Sequence, residues 1–309
     1  MNWIVGIAIL VGIGYLLDRE FYFYEGVHLG PRMQAWLYDR WSRKYDISKR
    51  ESQLRDNEML ARPLMDLLKD VPAPFVLDFA TGTGRLSYAL LSQPDFKGHI
   101  IALDLSQGML EQAATKLSRT ERRDDDLSSR SRSAGKQDTD HLNPTGASSA
   151  PSAPLSARVE LLRHQSMPLP FPDAAFDVVC CLEVLELFPN MDEPLAELTR
   201  VLRPSGVLLS SRGTEESGRK AKVKSKAEYG ALLKSHGVDN FQIAPWWKLF
   251  DRVIGVKNGE STPVGVRELS DVMRCGACGQ TQWKKEAGVM KCQNCGKELS
   301  ITKVGIVLN

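Results

Sequence analysis

From residue 75 onward, short apolar runs alternate with amphipathic stretches, and this alternation restricts the possible folds more than any other feature of the chain. Strands that alternate with helices predict a mostly parallel, doubly wound α/β sheet, here of seven strands. The last two runs are too close together for a crossover helix, so we expect those strands to pair antiparallel. The predicted strands are Phe75–Ala80, His99–Asp104, Val159–Gln165, Phe176–Glu183, Gly206–Arg212, Phe241–Trp247 and Phe250–Lys257, and helices are predicted over 83–92, 106–120, 191–203 and 225–236.

Residues 121–157 interrupt the alternation. The segment contains eight Ser and has no aromatic residue, Ile or Val, so it cannot bury enough apolar surface to offset the loss of chain entropy on folding. We therefore predict a disordered insertion, which serves either as a neutral spacer or as a phosphorylated regulatory segment. The other predicted units are a helical extension over 21–70, an α/β domain over 71–257, a linker over 258–271 and a small unit over 272–309.

The stretch Trp3–Leu17 has no charged side chain. As a helix it spans roughly 22 Å at 1.5 Å per residue, and the aromatic residues 21–24 that follow it are typical of a membrane interface. Basic residues occur only from Arg19 onward. These features predict a single-pass membrane anchor over 1–20, inserted through residues 3–17, with the rest of the chain on the cytoplasmic, positive-inside face. The alternative is a soluble helix packed in the core.

The charge balance gives no reason to expect a nucleic-acid partner. The 309 residues include 40 Lys and Arg against 38 Asp and Glu, a net charge of +2, which creates no strong overall field. The composition is that of an ordinary globular protein and excludes collagen-like, wholly disordered and disulfide-scaffold classes. A chain of this length is long enough for about two domains.

Four of the six cysteines form two C-x-x-C-G knuckles near the C-terminus. The two pairs are separated by 13 residues, and two such turns can present four thiolates to one tetrahedral metal site. We expect a zinc-ribbon-like unit over 272–309 that needs its metal to fold, and iron can use the same ligands. The alternatives are four free thiols or two disulfides. The expected ligands are Cys275, Cys278, Cys292 and Cys295.

The first predicted strand runs into a glycine turn, Asp78-Phe-Ala-Thr-Gly-Thr-Gly84, and then into a helix. Glycines at these positions allow a ligand to come close to the backbone. The next predicted strand ends at Asp104, where a carboxylate can accept from both hydroxyls of a ribose. Residues 85–87 contain no third glycine, so the turn suits an adenosyl ligand without phosphates better than a dinucleotide.

These motifs resemble those of the class I S-adenosylmethionine-dependent methyltransferases, particularly the methyltransferase type 11 branch that includes quinone-biosynthesis enzymes. The resemblance extends over residues 75–257 and rests on motifs that occur in the family's order. It implies a Rossmann-like fold and S-adenosylmethionine as the cofactor. The motifs are L-D-F-A-T-G-T-G, L-D-L-S-Q-G-M-L, M-P-L-P-F-P-D-A-A-F-D-V-V and L-A-E-L-T-R-V-L-R-P-S-G-V-L.

The resemblance also implies a set of cofactor contacts. Asp78 and the turn after it would hold the methionine part, Asp104 would hold the ribose, and Leu105 and Met109 would lie beside the adenine. Gln165 stands where the family usually has an aspartate, and its side-chain oxygen can accept from the adenine amino group. The implied cofactor-binding residues are Asp78, Ala80, Thr81, Gly82, Gly84, Asp104, Leu105, Met109, Gln165 and Ser166.

The residues after the fourth predicted strand depart from the family pattern. The segment Glu183-Val-Leu-Glu-Leu187 resembles the family's E-V-L-E-H, but Leu187 replaces the histidine, so the usual general base is missing from the sequence there. Glu183 and Glu186 would either line the acceptor site or be surface carboxylates at the start of a helix. The resemblance therefore assigns no catalytic residue.

Together these features predict a membrane-tethered methyltransferase that acts on a small lipophilic or membrane-proximal acceptor, either a small molecule or a lipid. Two alternatives stay open. One is an RNA or protein methyltransferase that uses the ribbon to capture its substrate. The other is a scaffold that binds S-adenosylmethionine without turnover, which the missing histidine suggests. Transfer of labelled methyl groups to a lipid extract, to RNA or protein, or to none of these distinguishes the three.

Overall fold

The computed structural model describes residues 2–23, 25–118, 158–217 and 223–309, and the insertion expected over 121–157 lies outside them. An eight-stranded sheet forms the centre of the described chain. Its strands are β1 (Phe75–Phe79), β2 (His99–Asp104), β3 (Val159–Arg163), β4 (Phe176–Cys181), β5 (Leu202–Gly213), β6 (Asn240–Trp247), β7 (Phe250–Val256) and β11 (Ile306–Leu308).

The strands lie side by side in the order β11-β3-β2-β1-β4-β5-β7-β6. Neighbours are parallel, except that β7 runs antiparallel to both β5 and β6. This confirms the mostly parallel α/β sheet and the antiparallel pairing of the last two predicted strands. The strand order reverses between β1 and β4, and at such a switch point the carboxyl ends of the strands leave a crevice for a ligand.

The sheet is buried on both faces, which explains why its strands are continuous apolar runs. Along β1, Phe75 and Leu77 belong to one buried cluster, whereas Val76 belongs to a second, because successive side chains of a strand point to opposite faces. The helices are α1 (Asn2–Asp18), α2 (Pro31–Ser48), α3 (Arg50–Gln53), α4 (Arg62–Leu67), α5 (Arg85–Leu91), α6 (107–118), α7 (Asp192–Val201), α8 (Lys226–Ser235) and α9 (Leu269–Val272).

Two strands end two residues earlier than predicted. β3 stops at Arg163 rather than Gln165, and β4 stops at Cys181 rather than Glu183. Glu183 has a φ of 60°, in the left-handed region that a strand cannot use. The residues released from both strands form loops over the carboxyl edge of the sheet.

The N-terminal helix α1 does not support the predicted membrane anchor. It has 17 residues, which at 1.5 Å per residue falls short of a hydrocarbon core of about 30 Å. Within the part of the chain that the structure describes, no helix is both long and apolar enough to cross a membrane. The predicted single-pass anchor over 1–20 and the membrane location are therefore wrong. The alternative of a core helix is not met either, because Leu10 and Val11 are 68% and 66% exposed.

The C-terminal residues form a second, three-stranded antiparallel sheet and then add β11 to the edge of the central sheet. The sequence predicted seven strands, and the eighth arises because Ile306 and Val307 are buried beside β3. The segment expected to be a linker contains α9, whose Leu269 and Val272 belong to a buried cluster of the central sheet. The strands of the second sheet are β8 (Trp283–Glu286), β9 (Val289–Cys292) and β10 (Glu298–Ser300).

Candidate functional site

The turn between β1 and α5 places backbone amides at the carboxyl edge of the sheet. Ala80, Gly82 and Gly84 have positive φ angles of 54°, 56° and 73°, a conformation that costs energy for a residue with a side chain such as Ala80. A Cβ atom on Gly84 would lie 3.0 Å from the Cβ of Ala113 in α6. Glycine at this position therefore allows both the backbone turn and the close approach of α5 and α6.

Asp78, which was predicted to hold the methionine part of the cofactor, faces the turn itself. Its Oδ2 accepts hydrogen bonds from Thr81 Oγ1 and Ser87 Oγ, both at 2.7 Å. Burial raises the pKa of Asp78, and the two hydroxyls stabilise its charged form. Asp78 thus shapes the glycine turn, whereas its neighbours Phe79 and Ala80 reach the adjoining cavity.

Asp104 ends β2 and lies in the wall of that cavity. Its Oδ2 accepts from Gly82 N and its Oδ1 from Ser106 N, each at 2.8 Å, so the carboxylate joins the glycine turn to the start of α6. Burial raises the pKa of Asp104 to about 6, although the backbone donors act in the opposite direction. Each carboxylate oxygen can accept more than one hydrogen bond, so ribose hydroxyls can add to these two contacts.

The cavity at the carboxyl ends of β1 and β2 has a volume of about 250 Å³. Five of the predicted cofactor residues line it, namely Ala80, Asp104, Leu105, Gln165 and Ser166. Gln165 Nε2 donates to Leu105 O at 3.1 Å, so its amide oxygen is the end available to accept from a ligand. The rest of the wall is mostly apolar and consists of Pro31, Gln34, Phe79, Leu103, His164, Met167, Val184, Leu187, Phe188 and Pro189.

Four other predicted cofactor residues lie beside the cavity rather than in its wall. Thr81 and Gly82 donate to the two aspartates just described. Gly84 precedes the first residue of α5, and Met109 is buried within α6. The structure therefore brings five of the ten predicted residues to the cavity, and the other five, including Asp78, lie in the strand, turn and helix beside it.

Helix α2 covers this site, a role that the sequence analysis did not assign. Its first turn belongs to the cavity wall. Asp39 Oδ1 accepts from Ser106 Oγ at 2.6 Å and from Gly108 N at 2.8 Å, and Asp46 pairs with Lys116 of α6 at 2.9 Å. The two aspartates are seven positions apart in the sequence, which places them on one face of a helix. That spacing was the available signal.

A buried ion-pair network joins the N-terminal helices to the α/β domain. Arg85 pairs with Asp56 at 2.6 Å and with Glu183 at 2.9 Å, and Lys49 pairs with the other oxygen of Glu183 at 2.7 Å. We call these four residues the Arg85 network. The Glu183 side chain is only 7% exposed and has a cation on each oxygen, so the interpretation of Glu183 as a surface carboxylate is wrong.

Glu186 is also buried rather than on the surface. Its Oε1 accepts from Gly213 N at 2.6 Å, whereas its Oε2 has no hydrogen-bond partner among the described residues. Burial raises the pKa of Glu186 to about 7. A carboxyl group with such a pKa can take up or release a proton near neutral pH.

The raised pKa of Glu186 predicts a loss of stability as the pH rises from 4.5, the ordinary value, to about 7. The folded state binds this proton more tightly than the unfolded chain does, so its contribution to stability is fully present below the unfolded pKa and is lost as the pH rises through the folded pKa. In Glu186→Gln this dependence is absent. Between about pH 5 and pH 7.5, we expect the wild type to lose roughly 2–3 kcal/mol of unfolding free energy relative to the variant.

Urea denaturation of both proteins at the two pH values measures this difference. Asp104, whose pKa is also raised, titrates in wild type and variant alike and cancels from the comparison. A difference that does not change with pH would contradict the raised pKa of the buried Glu186.

The four predicted metal ligands come together in the C-terminal unit. Their Sγ atoms all lie within 4.8 Å of one another, with Cys275 and Cys295 at 3.6 Å and Cys278 and Cys292 at 3.7 Å. A tetrahedral site with zinc–sulfur bonds of about 2.3 Å has sulfur–sulfur edges of about 3.8 Å. All four are free cysteines, against the disulfide alternative, and their arrangement fits a single metal ion.

Residues 77–210 match the model of a family described as "Methyltransferase domain". The demethylmenaquinone methyltransferase of Lactobacillus johnsonii is 27% identical over 170 residues, which are 55% of this chain and 56% of that protein. The protein of the same name from Bacillus cereus is 25% identical over 173 residues, 56% of this chain and 59% of that protein. The chain thus spans little more than half the length of these curated relatives.

Among solved structures, an S-adenosyl-L-methionine-dependent methyltransferase by description, from Methanococcus maripaludis, aligns with a TM-score of 0.50 at 16% identity over 72% of this chain and 94% of that one. At this identity the likeness concerns the fold alone. The match to the family model covers 134 of the 309 residues, and this part of the chain is therefore similar to a methyltransferase domain.

Proposed function

We propose that this protein transfers a methyl group from S-adenosylmethionine to a small lipophilic acceptor. The observation that carries the proposal is the cavity at the carboxyl ends of β1 and β2, where the Asp104 carboxylate and many apolar side chains share one wall. Such a wall suits a polar ribose at one end and an apolar acceptor at the other. The curated relatives are named demethylmenaquinone methyltransferases, and that name supports a quinone-type acceptor.

The residues in and around the cavity hold the cofactor in this proposal. Asp104 accepts from the ribose hydroxyls, and the amide oxygen of Gln165 accepts from the adenine amino group. S-adenosylmethionine supplies an electrophilic methyl group on its sulfonium. Because much of the rate of such an in-line displacement comes from holding donor and acceptor in line, the cover formed by α2 contributes by fixing both and excluding water.

The acceptor side of the cavity is apolar. Val184, Leu187 and Phe188 line it after β4, and Leu187 stands where the family usually has a histidine. An apolar wall stabilises a lipophilic acceptor through the burial of apolar surface. A base is needed only if the acceptor carries a proton of high pKa.

Transfer of labelled methyl groups tests the proposed function. The purified chain is incubated with methyl-labelled S-adenosylmethionine and a lipid extract, RNA or a protein extract. We expect label in the lipid-soluble fraction, and none when Asp104→Ala replaces the wild type. Label in RNA or protein would support the alternative methyltransferase, and cofactor binding without transfer to any fraction would make the chain a scaffold.

We also propose that the four-cysteine cluster binds zinc, since its sulfur–sulfur distances of 3.6 and 3.7 Å suit tetrahedral coordination. We expect elemental analysis to find one zinc ion per chain. Cys295→Ser should lower the zinc content, whereas Cys180→Ala, in β4 and outside the cluster, should leave it unchanged. Iron with a visible charge-transfer colour would keep these ligands and replace the zinc assignment, and a metal-free protein would contradict the site.

A further inference from the structure

The cofactor cavity and the C-terminal unit share one segment of the chain, residues 164–170, which follows β3. His164, Gln165 and Ser166 line the cavity. The same three residues also line a groove of about 670 Å³ together with Cys275 and Lys297 of the C-terminal unit. The segment therefore forms a partition, with the cofactor cavity on one side and the cysteine knuckles on the other.

Hydrogen bonds from the C-terminal unit hold both ends of this segment. At its beginning, Asn309 N donates to Arg163 O at 3.1 Å, and Asn309 Nδ2 lies 3.1 Å from His164 Nδ1. At its end, Arg274 N donates to Pro170 O at 2.8 Å. Arg274 directly precedes the first cysteine of the cluster. The conformation of 164–170 is thus linked to the position of the first knuckle.

The strand before the segment is fixed by the same unit. β11 pairs with β3 in parallel, in a register that places Ile306 opposite Leu161. From β3, the Glu160 carboxylate accepts from Leu269 N at 2.6 Å and pairs with Lys285 of β8. Without β11, β3 would be the edge of the central sheet, with unpaired backbone groups. The C-terminal unit therefore completes the sheet on the side of the cavity.

The contact between the two parts is a continuation of the hydrophobic core. The residues of the C-terminal unit that take part are buried with side chains of the central strands, and two of them, Cys275 and Cys292, belong to the four-cysteine cluster. We expect the unit to need its metal to fold. Metal binding, folding of the unit and support of 164–170 are therefore linked equilibria. The shared core residues are Val272, Met273, Cys275, Trp283, Met290, Cys292 and Leu299.

We propose that the metal-bound C-terminal unit, together with α9 (residues 269–309), is a fixed part of the cofactor site and positions 164–170 for the adenine end of the ligand. The proposal rests on the S-adenosylmethionine binding proposed above. None of the four cysteines lines the cavity. Loss of the metal nevertheless weakens cofactor binding, because Gln165 and Ser166 belong to the segment 164–170, which loses its contacts with the C-terminal unit. A ribbon that serves only to capture another partner would leave the affinity for S-adenosylmethionine unchanged.

The test compares the zinc-loaded full chain, the same chain after chelation, and the chain reloaded with zinc. Calorimetry gives the dissociation constant of S-adenosylmethionine, and hydrogen exchange gives the protection of the amides in 164–170. After chelation we expect the dissociation constant to rise at least about ten-fold and the protection of 164–170 to fall, while β1 and β4 stay protected. Both quantities should recover on reloading.

An unchanged dissociation constant in the chelated chain would overturn the inference. If the zinc-loaded wild type binds no S-adenosylmethionine, the proposed function fails, and the inference is then decided by exchange alone. In that case, protection of 164–170 that survives chelation refutes the positioning role. The two failures are therefore distinguishable.

If chelation unfolds the whole chain, the variant Asn309→Ala tests the positioning role of the C-terminal unit instead. The variant keeps the metal and the backbone bond to Arg163 but loses the amide contact with His164. We expect several-fold weaker binding of S-adenosylmethionine and a smaller preference for S-adenosylhomocysteine over its inosine analogue, which lacks the adenine amino group. Lys303→Ala, an exposed position on the same segment, should change neither. Wild-type affinity and preference in a folded, zinc-loaded Asn309→Ala chain would then reject the inference.

Discussion

Asp104→Ala is expected to weaken the binding of S-adenosylmethionine by about 100-fold or more without unfolding the chain. The substitution removes the acceptor proposed for two ribose hydroxyls, and hydrogen bonds to a charged group contribute roughly 1.5–3 kcal/mol each. The carboxylate is already fixed by Gly82 N and Ser106 N at 2.8 Å, so it needs little reorganisation to bind a ligand. Titration calorimetry measures the loss.

Two further variants make this measurement specific. Asp104→Asn keeps one oxygen and the shape of the side chain, so its affinity should fall between those of the wild type and Asp104→Ala. Asp95→Ala removes an exposed carboxylate and should bind like the wild type. Because the pKa of Asp104 is raised to about 6, wild-type affinity should itself decline as the pH falls through this value. A folded Asp104→Ala chain with undiminished affinity would refute the ribose contact.

The central strands and the glycine turn could be predicted because each of their signals is local. Phe75–Phe79 is an apolar run that a buried parallel strand requires, and Gly82 and Gly84 mark a turn with positive φ angles. The spacing did not reveal which carboxylate lies in the cavity wall. Asp78 is the last but one residue of β1 and Asp104 is the last of β2. Asp78 accepts from the hydroxyls of Thr81 and Ser87, whereas Asp104 lies in the cavity wall.

The parts that the sequence did not predict depend on contacts between distant segments. Ile306–Leu308 is only three residues long, too short for periodicity to identify, and it becomes a strand because the edge of β3 is open to it. Helix α2 covers the cavity through Asp39 and Asp46, whose partners lie on α6. The apolar stretch Trp3–Leu17 led to the wrong prediction of a membrane anchor for the opposite reason. Its local composition is typical of a membrane helix, but the helix is too short to span a membrane.

Arg85→Met is expected to lower the free energy of unfolding by about 3–5 kcal/mol, because removing one partner of a buried ion pair leaves an uncompensated charge. Arg85 holds Asp56 at 2.6 Å and Glu183 at 2.9 Å, and the three side chains are only 10%, 7% and 7% exposed. The guanidinium also lies 4.9 Å from the centre of the Trp246 ring. Urea denaturation at neutral pH measures the change, and loss of the Arg85 network should release the N-terminal helices first.

Arg55→Met is the matched control, because Arg55 and Glu58 form an exposed pair with side chains 65% and 60% accessible, which contributes at most about 1 kcal/mol. The deficit of Arg85→Met should shrink at acidic pH. Burial already raises the pKa of Asp56, and without the guanidinium it rises further above the unfolded value. A raised carboxyl pKa contributes stability below the unfolded pKa and loses it as the pH rises through the folded pKa. A deficit that is equally large at low pH would mean that packing around Arg85, and not its charge, holds the N-terminal helices over the site.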